Sequence, residues 1–200
     1  GRLFRGGSFS NNYTEIVTDS PTLTYLDIAV QDKHGVAISK DSTLFAWGDN
    51  SSGQLGDGTY NNSETPVRVF SDGVIKNKKF VAVATGRKHT IALDKDGKVY
   101  QWGGIYFSNV GNVYDTNSNK PVILDDTGTP MEGNKIINID AGYYCSIAMD
   151  EDSVLYSWGS NQSGALGNIQ SSNTNIPILV NYLSLLDENE KIESFSDGLY

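Results

Sequence analysis

The chain has 200 residues with 21 glycines, 5 prolines, 38% hydrophobic and 20% charged residues, and a formal net charge of −9. That mixture is globular and turn-rich rather than disordered. Its acidity disfavours a nucleic-acid phosphate track and docking on anionic lipid, both of which are read by Lys and Arg, so neither a nucleic-acid partner nor membrane insertion is expected. Cys145 is the single cysteine, which excludes an intrachain disulfide framework. No apolar run reaches the roughly 18 residues of a membrane span.

In chain order, GRLFRGGSFS lacks the apolar segment of a signal peptide and begins with Gly, so a piece of a longer protein is expected. Residues 1–24 hold LFRGG at 3–7, similar to the end of a strand-and-loop unit, and little else in register. From residue 25 a unit recurs. YLDIAVQDKHGVAISKDSTLFAWG (25–48), KFVAVATGRKHTIALDKDGKVYQWG (79–103) and KIINIDAGYYCSIAMDEDSVLYSWG (135–159) align with one another. Trp47, Trp102 and Trp158 stand 55 and 56 residues apart, each followed by glycine at Gly48, Gly103 and Gly159. Eight residues after each Trp come Leu55-Gly56, Val110-Gly111 and Leu166-Gly167, and nineteen after it a Pro opens PVRV, PVIL or PILV.

Each unit reads as strand, turn, strand, hairpin, strand, loop, strand. IALDKDGKVYQW alternates apolar and polar residues about a D-G turn, as hairpins do. Helical periodicity is confined to a suggestion of one or two turns in NYLSLLDENEKI (181–192). About four strands in each unit make a propeller blade rather than a solenoid coil. The expected fold is all-β, with blades of four antiparallel strands at 25–79, 80–134 and 135–190. Residues 1–24 are expected to be the degenerate end of a preceding repeat, and KIESFSDG, within 191–200, the start of a further one. Three and a half blades leave open edges, so a partial propeller of a larger chain is expected.

The runs ATGRKHTIALDKDGKVYQWG and WGDNSSGQLGDGT resemble the regulator of chromosome condensation repeat, and the resemblance extends over roughly residues 25–200. It implies a seven-bladed β-propeller in which Trp47, Gly48, Leu55, Gly56, Gly86, His89, Trp102, Gly103, Gly142, Trp158, Gly159, Leu166 and Gly167 are structural repeat positions. The glycine-rich loop 47–59 could otherwise suggest a phosphate cradle, but it lacks the Lys-Ser/Thr pair and the following helix that such a site needs. DKDGK at 94–98 fails as a calcium loop because Lys98 and Ile105 stand where oxygen ligands belong. His34, His89 and Cys145 share one repeat position, which a propeller distributes round its ring rather than gathering at a point. No carboxylate accompanies them to orient an imidazole. No catalytic residue, metal or cofactor is therefore expected, and Cys145 is expected to be a buried, inert thiol.

Function is sought where the repeat is broken, because propeller loops carry recognition and strands the scaffold. Ile105, Tyr106 and Phe107 replace the polar Asn50-Ser51-Ser52, and with Tyr114 they form an aromatic loop suited to anchoring a protein partner. Tyr143 and Tyr144 are a second candidate, on the loop where members of the resembled family bind partners. The turns at 70–78 and 125–134 are polar and carry no further mark. Sequons at Asn12, Asn50, Asn61 and Asn161 fall in expected loops and leave an extracellular setting open beside the favoured intracellular one. Two functions stand side by side. One is a non-catalytic protein-interaction scaffold, part of a larger assembly. The other, implied by the resemblance, is guanine-nucleotide exchange on a small Ran-like GTPase, although no wedge-like insertion stands out.

Overall fold

A computed structural model describes residues 25–105, 108–109, 112–113, 116–168 and 172–181, the backbone of 3–7 and 10–16, and the isolated positions 192, 194 and 195. The side chains of 105–116 lie outside that description, as do Tyr106, Phe107 and Tyr114 altogether. So do the suggested helical turns, beyond Asn181 and Ile192, and most of the strand expected at 191–198.

Strands β1 (Leu3–Gly7) and β2 (Ser10–Ile16) pair as an antiparallel hairpin. β3 (Tyr25–Gln31), β4 (His34–Ser39), β5 (Leu44–Gly48) and β6 (Ser63–Arg68) form the first four-stranded sheet. After a short 3-10 turn at Gly73–Ile75, β7 (Phe80–Thr85), β8 (His89–Asp94) and β9 (Val99–Ile105) begin the second. A small hairpin of β10 (Ser108–Asn109) and β11 (Asn112–Val113) precedes β12 (Thr116–Ile123), which completes that sheet. β13 (Ile136–Ala141), β14 (Cys145–Asp150), β15 (Leu155–Gly159) and β16 (Thr174–Leu179) make the third. Each is an antiparallel meander in sequence order, as the alternation and turns predict.

The sheets stack as propeller blades do. Val36, Ile38, Leu44, Leu55 and Val69 of the first pack with Phe80, Val83, Tyr100 and Trp102 of the second. Ile91, Leu93, Val99, Leu124 and Met131 of the second pack with Ile136, Ile139, Tyr156 and Trp158 of the third. The middle strands β4 and β8 are buried along their whole length, and β8 lies between the first and third blades.

The glycine-rich loop of the opening unit is a blade-to-blade clamp. Gly56, at φ +65, lies so close to Trp102 that an added Cβ would be 2.6 Å from the indole Nε1. That nitrogen donates to Gln54 O at 2.9 Å, and Leu55 fills the core beneath. Gly58 N donates to Asn119 O at 2.8 Å, bracing the second blade's outer strand. In the third blade, Trp158 Nε1 instead donates to the Gln101 side chain at 3.2 Å.

The D-G segment is a hairpin turn, with Gly97 at φ +85 donating to Asp94 O at 3.0 Å. Asp94 is buried. Its Oδ1 accepts from Asp96 N and Lys98 N, each at 2.9 Å, and its Oδ2 accepts from Tyr100 OH at 3.0 Å and pairs with Lys78 at 3.3 Å. Asp150 repeats this with Asp152 N, Val154 N and Tyr156 OH. The first blade has Ser39 in place of the Asp and Phe45 in place of the Tyr, so the carboxylate and the hydroxyl that satisfies it are absent together.

Candidate partner-binding surface

The topology gives each blade two ends. One carries the turns at 32–33, 86–88 and 142–144 and the loops that leave β5, β9 and β15; the other carries the hairpins at 40–43, 95–98 and 151–154. Of the sequence-predicted recognition residues, Tyr143 and Tyr144 fall at the first end, as does the backbone of Ile105. β9 delivers Ile105 there, and Gly104 N donates to Lys88 O at 2.8 Å. Tyr143 and Tyr144 occupy the β13–β14 turn, both half-buried.

The residue that organises this end is Arg87, in the variable part of the Gly-x-x-His turn. Its backbone N donates to Tyr143 O at 3.0 Å, which locks the β7–β8 turn onto the β13–β14 turn. Its guanidinium donates to Tyr144 OH and stacks 4.8 Å from the Tyr143 ring centroid and 5.7 Å from that of Tyr144. The two rings meet edge to face at 4.7 Å. Asp32, from the first blade's turn, pairs with Arg87 Nε at 3.6 Å. The hydrogen bond that the guanidinium donates to Tyr144 is the main cause raising its pKa, so Arg87 is a cation. The quadrupoles of the two rings attract the cation and hold the tyrosines against the guanidinium. Sequence reasoning missed Arg87 because it stands at a position where the repeat sets no residue type.

The histidines do structural work. His34 Nε2 lies 3.0 Å from Thr90 Oγ1 in the second blade, and His89 Nε2 lies 3.0 Å from Ser146 Oγ in the third. Burial lowers His89 to a pKa of about 4; burial, then the neighbouring His89, lower His34 to about 3. Both imidazoles are therefore neutral. Cys145 is buried and forms no disulfide. Among the described residues no group of three or more His, Cys, Asp or Glu side chains is arranged to hold a metal ion, and no helix is long and apolar enough to cross a membrane.

Two sequons are not surface acceptors. Asn50 and Asn161 are buried. Asn50 Oδ1 accepts from Leu55 N at 2.9 Å and its Nδ2 donates to Thr59 O at 3.1 Å; Asn161 Oδ1 accepts from Leu166 N at 3.0 Å and its Nδ2 donates to Asn168 at 3.1 Å. They shape the loop from within, as the repeat requires. Asn61 is exposed, and the side chain of Asn12 lies outside the described residues.

These blades, clamps and repeat positions define an RCC1-type β-propeller. The regulator of chromosome condensation (RCC1) repeat profile matches residues 41–93 and 152–196, and a second profile of the same description matches 27–54. The chain belongs to that family. It is 31% identical over 163 residues to the human E3 ubiquitin-protein ligase HERC2, covering 80% of this chain and 3% of that protein. In fold it is similar to human WBSCR16 (TM-score 0.72, 20% identity, 90% of this chain and 43% of that one). It is also similar to Prp20p of Saccharomyces cerevisiae (TM-score 0.61, 22% identity, 77% of this chain and 37% of that one). The chain thus spans well under half of each of these proteins. The Prp20p structure was described together with its binding to Gsp1p and histones.

Proposed function

We propose that this chain is a non-catalytic interaction module, a partial propeller that presents the end bearing Arg87, Tyr143 and Tyr144 to a protein partner. The observation that carries the reading is the cation–aromatic cluster itself. It is partly exposed, it is built by cross-blade contacts, and its residue types are the ones that anchor interfaces. The backbone of Ile105, where the sequence begins to depart from the repeat, ends β9 at the same end. No nucleic-acid partner is proposed, because the net charge of −9 opposes phosphate binding.

A second reading, exchange on a small Ran-like GTPase, draws on the similarity to Prp20p, whose structure was reported with its binding to Gsp1p. The two are separated by capturing the full-length protein with its partners and adding it to a GDP-loaded Ran-like GTPase. The interaction reading expects a partner that is lost with Arg87→Ala or Tyr143→Ala, and no acceleration of GDP release. Accelerated release would establish the exchange reading in its place.

A further inference from the structure

Four Asp-Gly pairs occur in the chain, at 57–58, 72–73, 96–97 and 197–198. In such a pair the backbone nitrogen can attack the carboxyl carbon that precedes it, because glycine has no side chain to block the approach. The last pair lies outside the described residues. The other three sit in turns and loops, and the fold holds them very differently.

Two of the three are locked. Asp57 Oδ1 accepts from Thr59 N at 2.8 Å and from Asn50 Nδ2 at 3.2 Å, and Gly58 N donates across the blades to Asn119 O at 2.8 Å. Gly97 N donates to Asp94 O at 3.0 Å, and Asp96 pairs with Lys78 at 3.6 Å. Gly97 also packs so tightly that an added Cβ would be 2.6 Å from Lys135 Cγ. In both pairs the glycine N–H is committed to a carbonyl and the carboxylate to a partner.

Asp72–Gly73 has none of these restraints. Both residues are exposed. Among the described residues the Asp72 carboxylate forms no ion pair, and it leaves the 3-10 turn that follows it uncapped. Gly73 N opens that turn and donates to no carbonyl. Gly73 stands at φ +76 with nothing within 4 Å of where a Cβ would be. The Asp72 Cα–C bond, at ψ 173, therefore has open space in which to rotate and bring the nitrogen toward Cγ.

We propose that Asp72 is a site of spontaneous isoaspartate formation, which the fold permits here and blocks at Asp57 and Asp96. Gly73 N attacks Cγ of the protonated carboxyl. The N–Cγ bond forms as the bond from Cγ to its hydroxyl breaks, and the amide proton leaves with that hydroxyl as water. The cyclic imide then takes water back. Addition at Cγ restores aspartate. Addition at the main-chain carbonyl of Asp72 breaks its bond to Gly73 N, so the chain runs through Cγ and the α-carboxylate becomes the side group. The product is an isomer with one more atom in the main chain. It falls on the connection between the first two blades, shortly before Ile75 enters their shared core and Lys78 pairs with Asp94. The site lies beyond β6, whose Arg68 is in register with Phe45 toward the hairpin end, so it is independent of the partner-binding end.

The test holds the intact protein at neutral pH and physiological temperature in 18O-labelled water, then digests it in ordinary water and maps the peptides by mass spectrometry with electron-transfer fragmentation. The peptide containing Asp72–Gly73 should take up 18O and divide into aspartyl and isoaspartyl forms. The peptides containing Asp57–Gly58 and Asp96–Gly97 should react about tenfold more slowly or less, because hydrogen bonds must break first. In urea the three should react alike. Asp72→Glu would need a six-membered ring; it should keep the parent's urea midpoint and abolish the uptake. No uptake at Asp72 in the folded protein, or uptake at Asp57 or Asp96 that keeps pace with it, overturns the proposal. So does the same order of rates in urea, which would trace the preference to local sequence rather than to the fold.

Discussion

Acid should destabilise this protein through its two buried histidines. His34 and His89 are held neutral by burial, with pKa values of about 3 and about 4 against 6.5 in the unfolded chain. These folded values are depressed, so between roughly pH 4 and 6.5 the unfolded state binds more protons and stability rises with pH. The contribution is fully present above 6.5 and is lost as pH falls through the window. At pH 5 an unfolded imidazole is almost fully charged and a folded one is still neutral. At about 1.4 kcal/mol per unit, moving from pH 7 to 5 costs about 2 kcal/mol for each histidine, or about 4 kcal/mol for both. That is a large part of the 5–15 kcal/mol typical of a domain. The depressed carboxyls of Asp41 and Asp125 titrate below this window. Urea unfolding followed by tryptophan fluorescence at pH 7, 6 and 5 reads the loss directly. His34→Gln with His89→Gln should start less stable and show a much flatter pH dependence. Equal stability of the unsubstituted protein at pH 7 and 5, or a double variant as pH-sensitive as its parent, would refute the reasoning.

Three further outcomes follow from the same contacts. Gly56→Ala should destabilise by about 2 kcal/mol or more, because left-handed strain adds to the collision with Trp102, whereas Gly73→Ala, at φ +76 with open space around it, should cost only the strain of about 1 kcal/mol; urea midpoints decide. Tyr156→Phe should cost about 1–3 kcal/mol by removing the hydroxyl that donates to buried Asp150, while Phe45→Tyr, in the blade that has Ser39 in place of the Asp, should not stabilise, both read by thermal unfolding. On passage of the folded protein through a secretory system, glycopeptide mapping should find Asn61 modified, with Asn50 and Asn161 bare.

The repeat was legible because a propeller spaces its Trp, Gly and Pro positions evenly, and strand alternation with a D-G turn needs no tertiary information. Even the Asp94–Tyr100 and Asp150–Tyr156 pairs are visible on aligning the units, where Ser39 and Phe45 change together. The cross-blade contacts were not legible. Arg87 meets Tyr144 only because adjacent blades set their turns side by side, a relation that no single unit contains. Asn50 and Asn161 look like surface sequons because sequence shows a polar loop but not that its asparagines turn inward to hydrogen-bond the backbone. The need for glycine at Gly86 appears only when it is seen packed against His89 and Gly142.

The most direct test of the interaction reading is cross-linking mass spectrometry of the full-length protein captured with its partner. Cross-links from the partner to Lys33 and Lys88, at the end that carries Arg87 and the tyrosines, are the expected result. Cross-links confined to Lys40, Lys95 and Lys98, at the hairpin end, would contradict it.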